Sequence, residues 1–509
     1  MENSKLVPLL QSLDKEEFKQ FGRFVKSKVY NPNKNLIKLY EELKKYYPDF
    51  KPRNIEQEKI YLHIFPGKPF HIGIMRNLIS DMMQLVKDFF VYSESIKDTL
   101  RQKRYLLRML DEKELQKFFD KELAETNSIY KSEKVFNELN ELDMYYVREA
   151  EAKNLKRTLP VGKASKYYNT INNRVDNLVN FFVVSVLKEY FNLICGRTIV
   201  KFDENLSMKD EVFAFITANR EKYFSIPIID ILYHFIQLKE RDIDDKMFEL
   251  VKKKIYDNEK NLLKNDLKNL FLELTNYCVK RELDGEKKYL KVSLEIKKEM
   301  LDCGLYYHDD GYLSGHAYSN IAVTAYNAKE FEWAEKFLYD YKDKLRRSER
   351  NNSYNYNLAL KFYTQGSLTS DPDERKYFYE TSLNLLSMVK IEDYFYETRV
   401  KLYQIRIYFE LDELQRTLFL LDTLKHFLKK NKVMPKDTKE RFKSFADHVY
   451  HLIKLRSGSD RVSFEEFKES VKNAPMISSR NWLRKQVERL EADRKKGVKP
   501  IKPYETANA

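Results

Sequence analysis

Residues 318–341 read YSNIAVTAYNAKEFEWAEKFLYDY, and they hold the clearest structural pattern in this chain of 509 residues. The apolar residues of the first half fall on one face of a helix: Tyr318, Ile321, Ala322 and Ala325. A second apolar face follows the polar break at 327–329: Phe331, Ala334, Leu338 and Tyr341. The stretch therefore predicts two helices joined by a short turn.

The order of these residues resembles the tetratricopeptide consensus, which has a large residue, an apolar–small pair, an aromatic residue after the turn and a second small residue. Ala322 and Ala334 would be the two small residues, which are needed because packed helix axes approach to about 8–10 Å. The resemblance implies an α-solenoid of stacked antiparallel helical hairpins.

Weaker copies of the first helix occur on both sides of this unit. The corresponding positions Cys278, Ala322, Ala359 and Ile405 are separated by 44, 37 and 46 residues. A regular tetratricopeptide array repeats every 34 residues or so. The predicted repeats are therefore degenerate.

Several longer segments are also similar to a group of helical proteins common in Bacteroidota. They are KLYEELKKYYPDF (38–50), HIFPGKPF (63–70), AYSNIAVTAYNAKEFEWAEKFL (317–338) and IYFELDELQRTLFLLDTLKHFLKKNK (407–432). This resemblance implies a shared architecture and no particular activity.

Composition agrees with an all-α fold. The chain has only 12 Gly and 13 Pro residues, too few for the many turns of an all-β or α/β protein of this length. Its 69 Phe and Tyr residues argue against disorder.

Breaks in the pattern divide the chain into five predicted parts. Residues 1–95 form a small domain of four helices, one of which begins with a capping box at Asp14 and Glu17. The other parts are long-helix hairpins (96–260), tetratricopeptide-like repeats (261–455), C-terminal helices (456–493) and a flexible basic tail (494–509).

The sequence also predicts a cytoplasmic protein. Its three cysteines show no disulfide spacing, and no secretory signal begins the chain. The most apolar run, Phe181–Leu187, is followed by Lys188 and Glu189 and falls short of the roughly 18 residues of a membrane span.

We expect no enzymatic activity and no cofactor, because phosphate-binding loops, nucleophile elbows and zinc motifs are missing from the sequence. His448 and His451 have a spacing that could hold a metal, as could the loop around His308, but a helix surface and a capped loop explain them more simply.

The predicted function is a protein–protein interaction scaffold. In tetratricopeptide proteins the first helix of each hairpin lines the concave side, which gives a set of candidate partner-binding residues: His316, Tyr326, Asn327, Tyr356, Tyr363, Arg399 and Arg406. We expect a peptide or protein partner, with an acidic or C-terminal carboxylate bound by the arginines. Alternatively, these side chains face solvent or fill gaps between repeats.

Two further functions stay open at this point. The net charge of +14, the tail, and a cluster of basic residues on one helix could bind nucleic acid: Arg101, Lys103, Arg104 and Arg108. A purely structural or oligomerisation role is the other.

Overall fold

The computed structural model describes residues 4–160, 164–196, 206–240, 244–308, 310–390, 394–458, 463–474 and 477–497. About 79% of the chain is helical, and the described residues form 24 α-helices and no strand. The all-α prediction is confirmed. The predicted tail lies outside the described residues from residue 498 onward.

The chain divides into two compact units, residues 1–263 and 264–509. The five predicted parts are finer than this division, and their boundaries stay predictions. The helices of the first unit are α1 (Leu6–Gln11), α2 (Lys15–Lys26), α3 (Lys34–Lys44), α4 (Gln57–Ile64), α5 (Ile72–Ser95), α6 (Thr99–Glu112), α7 (Gln116–Ser132), α8 (Glu138–Thr158), α9 (Ala164–Gly196), α10 (Lys209–Ala218), α11 (Arg220–Tyr223), α12 (Pro227–Glu240) and α13 (Asp245–Asp257).

The second unit begins after Leu263. Its helices are α14 (Lys264–Leu283), α15 (Lys288–Asp302), α16 (Gly315–Asn327), α17 (Phe331–Tyr341), α18 (Arg350–Leu368), α19 (Pro372–Ser387), α20 (Tyr394–Glu410), α21 (Leu414–Lys430), α22 (Lys436–Arg456), α23 (Phe464–Asn473) and α24 (Arg480–Lys495).

The first 95 residues contain five helices, not the four that the sequence analysis predicted. The additional helix α1 has only six residues, with Pro8 among them and no side-chain cap, so its sequence carries little helical signal. It forms because Leu6 and Leu10 are buried in the core of this region. The capping box at Asp14 and Glu17 is present at the start of α2.

Helix α9 spans 33 residues and packs against α8 and α12. It is the one described helix that is long and apolar enough to cross a membrane, and 39% of its most apolar window is buried. This window is longer than the run Phe181–Leu187 from which the sequence predicted no membrane span. A core helix of a soluble protein meets the same criterion, and α9 also carries polar contacts, because Lys188 forms an ion pair with Glu138 at 2.8 Å.

The quoted stretch forms α16 and α17, which pack against each other. Ala322 and Ala334 are both completely buried, as expected for small residues at a helix contact. Other pairs of consecutive helices in this unit also pack together, namely α14 with α15, α18 with α19 and α20 with α21. Helix α18 additionally contacts both α16 and α20.

Three of these pairs share one turn geometry. After α14, α16 and α20, a residue with positive φ is followed by a backbone N–H that donates to the carbonyl five residues earlier. The positive-φ residues are Gly285 (101°), Lys329 (64°) and Asp412 (61°). Only glycine adopts this conformation without steric cost, so Lys329 and Asp412 are strained positions.

Two substitutions at these positive-φ positions should change the stability of the protein in opposite directions. We expect Lys329→Gly to raise the free energy of unfolding by about 1 kcal/mol, and Gly285→Ala to lower it by a similar amount. A Cβ atom at Gly285 would have no atom within 4 Å, so its effect comes from the backbone alone. Urea denaturation followed by circular dichroism measures both changes. If the two variants changed the free energy of unfolding equally and in the same direction, Lys329 would not be a strained position.

Candidate functional site

The second unit contains a cavity of about 570 Å³ between residues of α14, α15, α16, α18, α20 and α24. We call it the Arg406 cavity. Four aromatic rings line it: Tyr326, Tyr363, Tyr403 and Trp482. Five cationic side chains also line it: Lys287, Lys329, Arg406, Lys485 and Arg489. The acidic lining residues are Glu282 and Glu410.

Arg406 lies among three of the aromatic rings. Its guanidinium carbon is 4.5 Å from the ring centre of Tyr363, 5.0 Å from that of Tyr403 and 5.7 Å from that of Trp482. Its Nη1 donates a long hydrogen bond of 3.4 Å to the hydroxyl of Ser479. Within the described part of the chain, its buried Nε has no hydrogen-bond acceptor.

Glu410 is four residues after Arg406 on the same helix, yet α24 supplies its partners. Trp482 Nε1 donates to Glu410 Oε1 at 2.8 Å, and Gln486 Nε2 donates to the same oxygen at 2.7 Å. Arg489 Nη1 donates to Oε2 at 2.6 Å. The carboxylate therefore joins α20 to α24 through both of its oxygens.

The electrostatic environment of the cavity favours anions. Five cationic side chains face two acidic ones, and Glu410 is already bound to Arg489. Burial raises the pKa of Glu282, so its carboxyl group gives up its proton less readily than usual. Burial disfavours the charge of Arg406, but Tyr363, Tyr403 and Glu410 outweigh this effect and raise its pKa. Arg406 remains cationic at all physiological pH values.

Four of the seven predicted binding residues line this one cavity, namely Tyr326, Asn327, Tyr363 and Arg406. Asn327 is exposed at the end of α16. Tyr326 and Tyr363 are largely buried, so each presents only part of its ring. The Tyr326 hydroxyl donates to the backbone carbonyl of Asn357 at 2.9 Å.

The other three predicted residues lie elsewhere. Tyr356 is 1% exposed, and its ring packs against those of Tyr396 and Tyr403. It fills a gap between helices, the alternative that the sequence left open. Arg399 is exposed and interacts with the Tyr356 hydroxyl, outside the lining of the Arg406 cavity.

His316 is exposed and lines a second cavity of about 430 Å³ near the start of α16. That cavity also contains His308, Arg346 and Glu349. Arg346 is bound to Asp310 at 2.6 Å. His316 therefore does not belong to the same site as Arg406.

Sequence reasoning missed the lining residues of α24, Trp482, Lys485 and Arg489, and two residues of α20, Tyr403 and Glu410. Tyr403 could have been found, because it lies on the same helical stripe as Arg399 and Arg406. The α24 residues had no such signal, since they are more than 70 residues away in sequence.

The basic cluster that would contact nucleic acid in the alternative function is paired with carboxylates. Lys103 lies 2.6 Å from Glu122, Arg104 3.0 Å from Asp143, Arg101 3.3 Å from Asp98, and Arg108 3.8 Å from Glu112. Such pairing reduces the charge that this helix presents to phosphate groups.

No protein-family model, curated protein or solved structure matches the chain. The tetratricopeptide resemblance and the resemblance to the Bacteroidota group therefore stay predictions. What is established is an all-helical protein whose second unit contains an aromatic and basic cavity.

The basic side chain of Lys297 is buried near this cavity. Its Nζ donates to Asn320 Oδ1 at 2.8 Å and to Thr324 Oγ1 at 2.5 Å. Burial lowers the pKa of Lys297 to about 8, although the nearby Glu282 and Cys278 act in the opposite direction. A protonated Lys297 therefore costs folding free energy at neutral pH.

Lys297→Met should stabilise the protein at pH 7 by up to about 3 kcal/mol, because the cost of burying a protonated lysine whose pKa is lowered to about 8 disappears. Between pH 8 and 10.5 the unfolded wild-type chain binds more protons than the folded one, so the wild type recovers this free energy as pH rises. The difference between the two proteins should thus shrink from pH 7 to pH 10 in urea denaturation.

Lys291→Met, an exposed lysine on the same helix, serves as the control and should give a difference that is small at every pH. A difference for Lys297→Met that does not change with pH would contradict the lowered pKa.

Proposed function

We propose that this protein is a non-catalytic scaffold of the cytoplasm that binds a peptide or protein partner in the Arg406 cavity. The observation that carries the proposal is the cavity itself, which combines four aromatic rings with an excess of cationic side chains. Tyr, Trp and Arg are the residue types that contribute most to protein–protein binding.

We infer further that the second unit is a tetratricopeptide-like solenoid. Pairwise packing of consecutive helices supports this, as do the contacts of α18 with α16 and α20. The shared turns at Gly285, Lys329 and Asp412 lie 44 and 83 residues apart. The same separations were predicted from Cys278, Ala322 and Ile405 on sequence alone.

A peptide suits the cavity better than a nucleic acid. The basic cluster on α6 is paired with carboxylates, whereas the aromatic rings of the cavity lie around a guanidinium rather than in an open stack for bases. A structural or oligomerisation role makes no use of a polar cavity, so the cavity favours binding.

Filling the cavity should abolish binding without unfolding the protein. Asn327→Trp places a large side chain at the cavity rim from an exposed position, while Tyr339→Trp adds the same ring at an exposed position outside it. Linear 12-residue peptides selected on the immobilised wild type should bind Asn327→Trp at least about 10-fold more weakly, since a few cavity contacts carry most of the affinity. They should bind Tyr339→Trp unchanged.

Deletion of residues 494–509, the whole predicted basic tail, separates this proposal from the nucleic-acid alternative. Peptide binding should survive the deletion. If labelled single-stranded RNA or DNA binds instead, falls steeply with salt and needs these residues, the nucleic-acid function replaces the proposed one. Selected peptides that bind Asn327→Trp as tightly as the wild type would overturn the cavity as the binding site.

A further inference from the structure

We propose that the Arg406 cavity recognises a carboxylate of its peptide ligand through the in-plane edge of the Arg406 guanidinium. This inference rests on the proposed function and specifies the ligand group, the residue that binds it and the reason that this residue is available.

Contact with aromatic ring faces restricts the orientation of the Arg406 guanidinium. Aromatic rings attract a guanidinium over their faces, and Tyr363 and Tyr403 lie 4.5 and 5.0 Å from its carbon. Stacking uses the faces of the guanidinium and leaves the N–H groups at its edge for hydrogen bonds. Those groups are only partly used: Nε has no acceptor within the described residues, Nη1 has the long bond to Ser479, and the Tyr363 hydroxyl also interacts with the guanidinium.

The carboxylate that would otherwise occupy this edge of the guanidinium is bound elsewhere. Glu410 lies one helical turn after Arg406, a spacing at which opposite charges commonly pair. Its oxygens instead accept hydrogen bonds from Trp482, Gln486 and Arg489 of α24. Docking of α24 therefore occupies Glu410 and leaves Arg406 without an ion pair among the described residues.

The surroundings of Arg406 carry an excess of positive charge. Lys287, Lys329 and Lys485 line the same cavity and attract an anion toward it. A largely buried guanidinium without a carboxylate partner is costly, so an arriving carboxylate replaces lost hydration at Arg406. A planar carboxylate matches the guanidinium fork with two parallel hydrogen bonds, which a lysine cannot offer.

Ligand binding in the cavity can be measured directly through the fluorescence of Trp482. The chain has two tryptophans, Trp333 and Trp482, so a Trp333→Phe background leaves a single fluorescent reporter in the cavity wall. The probes are three acetylated tetrapeptides with a common Gly-Leu-Phe core. One ends in Asp with an amidated terminus, one ends in Asn with a free terminal carboxylate, and one ends in Asn amide and has no charge.

We expect at least one of the two charged peptides to shift Trp482 emission in a saturable manner. The neutral peptide should bind at least about 10-fold more weakly, because it cannot form a hydrogen bond between charged groups with Arg406. The two charged peptides distinguish a side-chain carboxylate from a terminal one. Inorganic phosphate tests whether any oxyanion suffices.

Arg406→Gln and Arg406→Lys should both weaken binding of the charged peptide about 10-fold or more, because lysine keeps the charge but loses the planar fork. The matched control Arg484→Gln removes an exposed arginine charge from α24 outside the cavity lining and should change binding by less than about 3-fold. Circular dichroism verifies that each variant is folded.

The proposal is overturned if Arg406→Lys binds as tightly as wild type, if the neutral peptide equals the charged ones, or if no probe shifts Trp482 emission at millimolar concentration. The comparison of peptides on the wild type remains decisive even if an Arg406 variant does not fold. If these tests fail while the selected 12-residue peptides still lose binding to Asn327→Trp, the proposed scaffold function stands without the carboxylate.

Discussion

The buried carboxylate of Glu410 connects the C-terminal helix to the helices that form the cavity. A carboxylate that is almost removed from water needs its oxygens satisfied, and Trp482, Gln486 and Arg489 provide three donors on one face of α24. This interaction sets the position of Trp482 and of the whole cavity wall that α24 contributes. It also keeps Glu410 from pairing with Arg406, because both oxygens of Glu410 are occupied.

The aromatic residues of this unit have two roles that the sequence does not distinguish. Tyr356 and Tyr379 are fully buried and fill space between helices, whereas Tyr363 packs on Tyr379 with one part of its ring and meets Arg406 with another. A tyrosine can do both because its ring is large and apolar while its hydroxyl needs a polar partner. Packing and binding are therefore coupled at Tyr363.

Two buried cations of this unit illustrate different solutions to the same physical problem. Lys297 is bound by neutral oxygens of Asn320 and Thr324, and burial lowers its pKa to about 8. Arg406 keeps its charge, because a guanidinium is delocalised and the surrounding aromatic rings and Glu410 favour it. A lysine in the Arg406 position would be open to losing its proton, and an arginine is not.

Local residue patterns were enough to predict the helical class, the pair α16 and α17, and part of the candidate site. Apolar spacing is a local property, so residues 318–341 predicted α16 and α17, and the low glycine content predicted a chain without strands. Tertiary structure alone decided which predicted residues share a site. Tyr326, Asn327, Tyr363 and Arg406 meet in one cavity, while His316 and Tyr356 do not, because their side-chain directions depend on how whole helices pack. The sequence also could not predict that α24 contributes to the cavity, because contacts between residues more than 70 positions apart leave no periodic pattern.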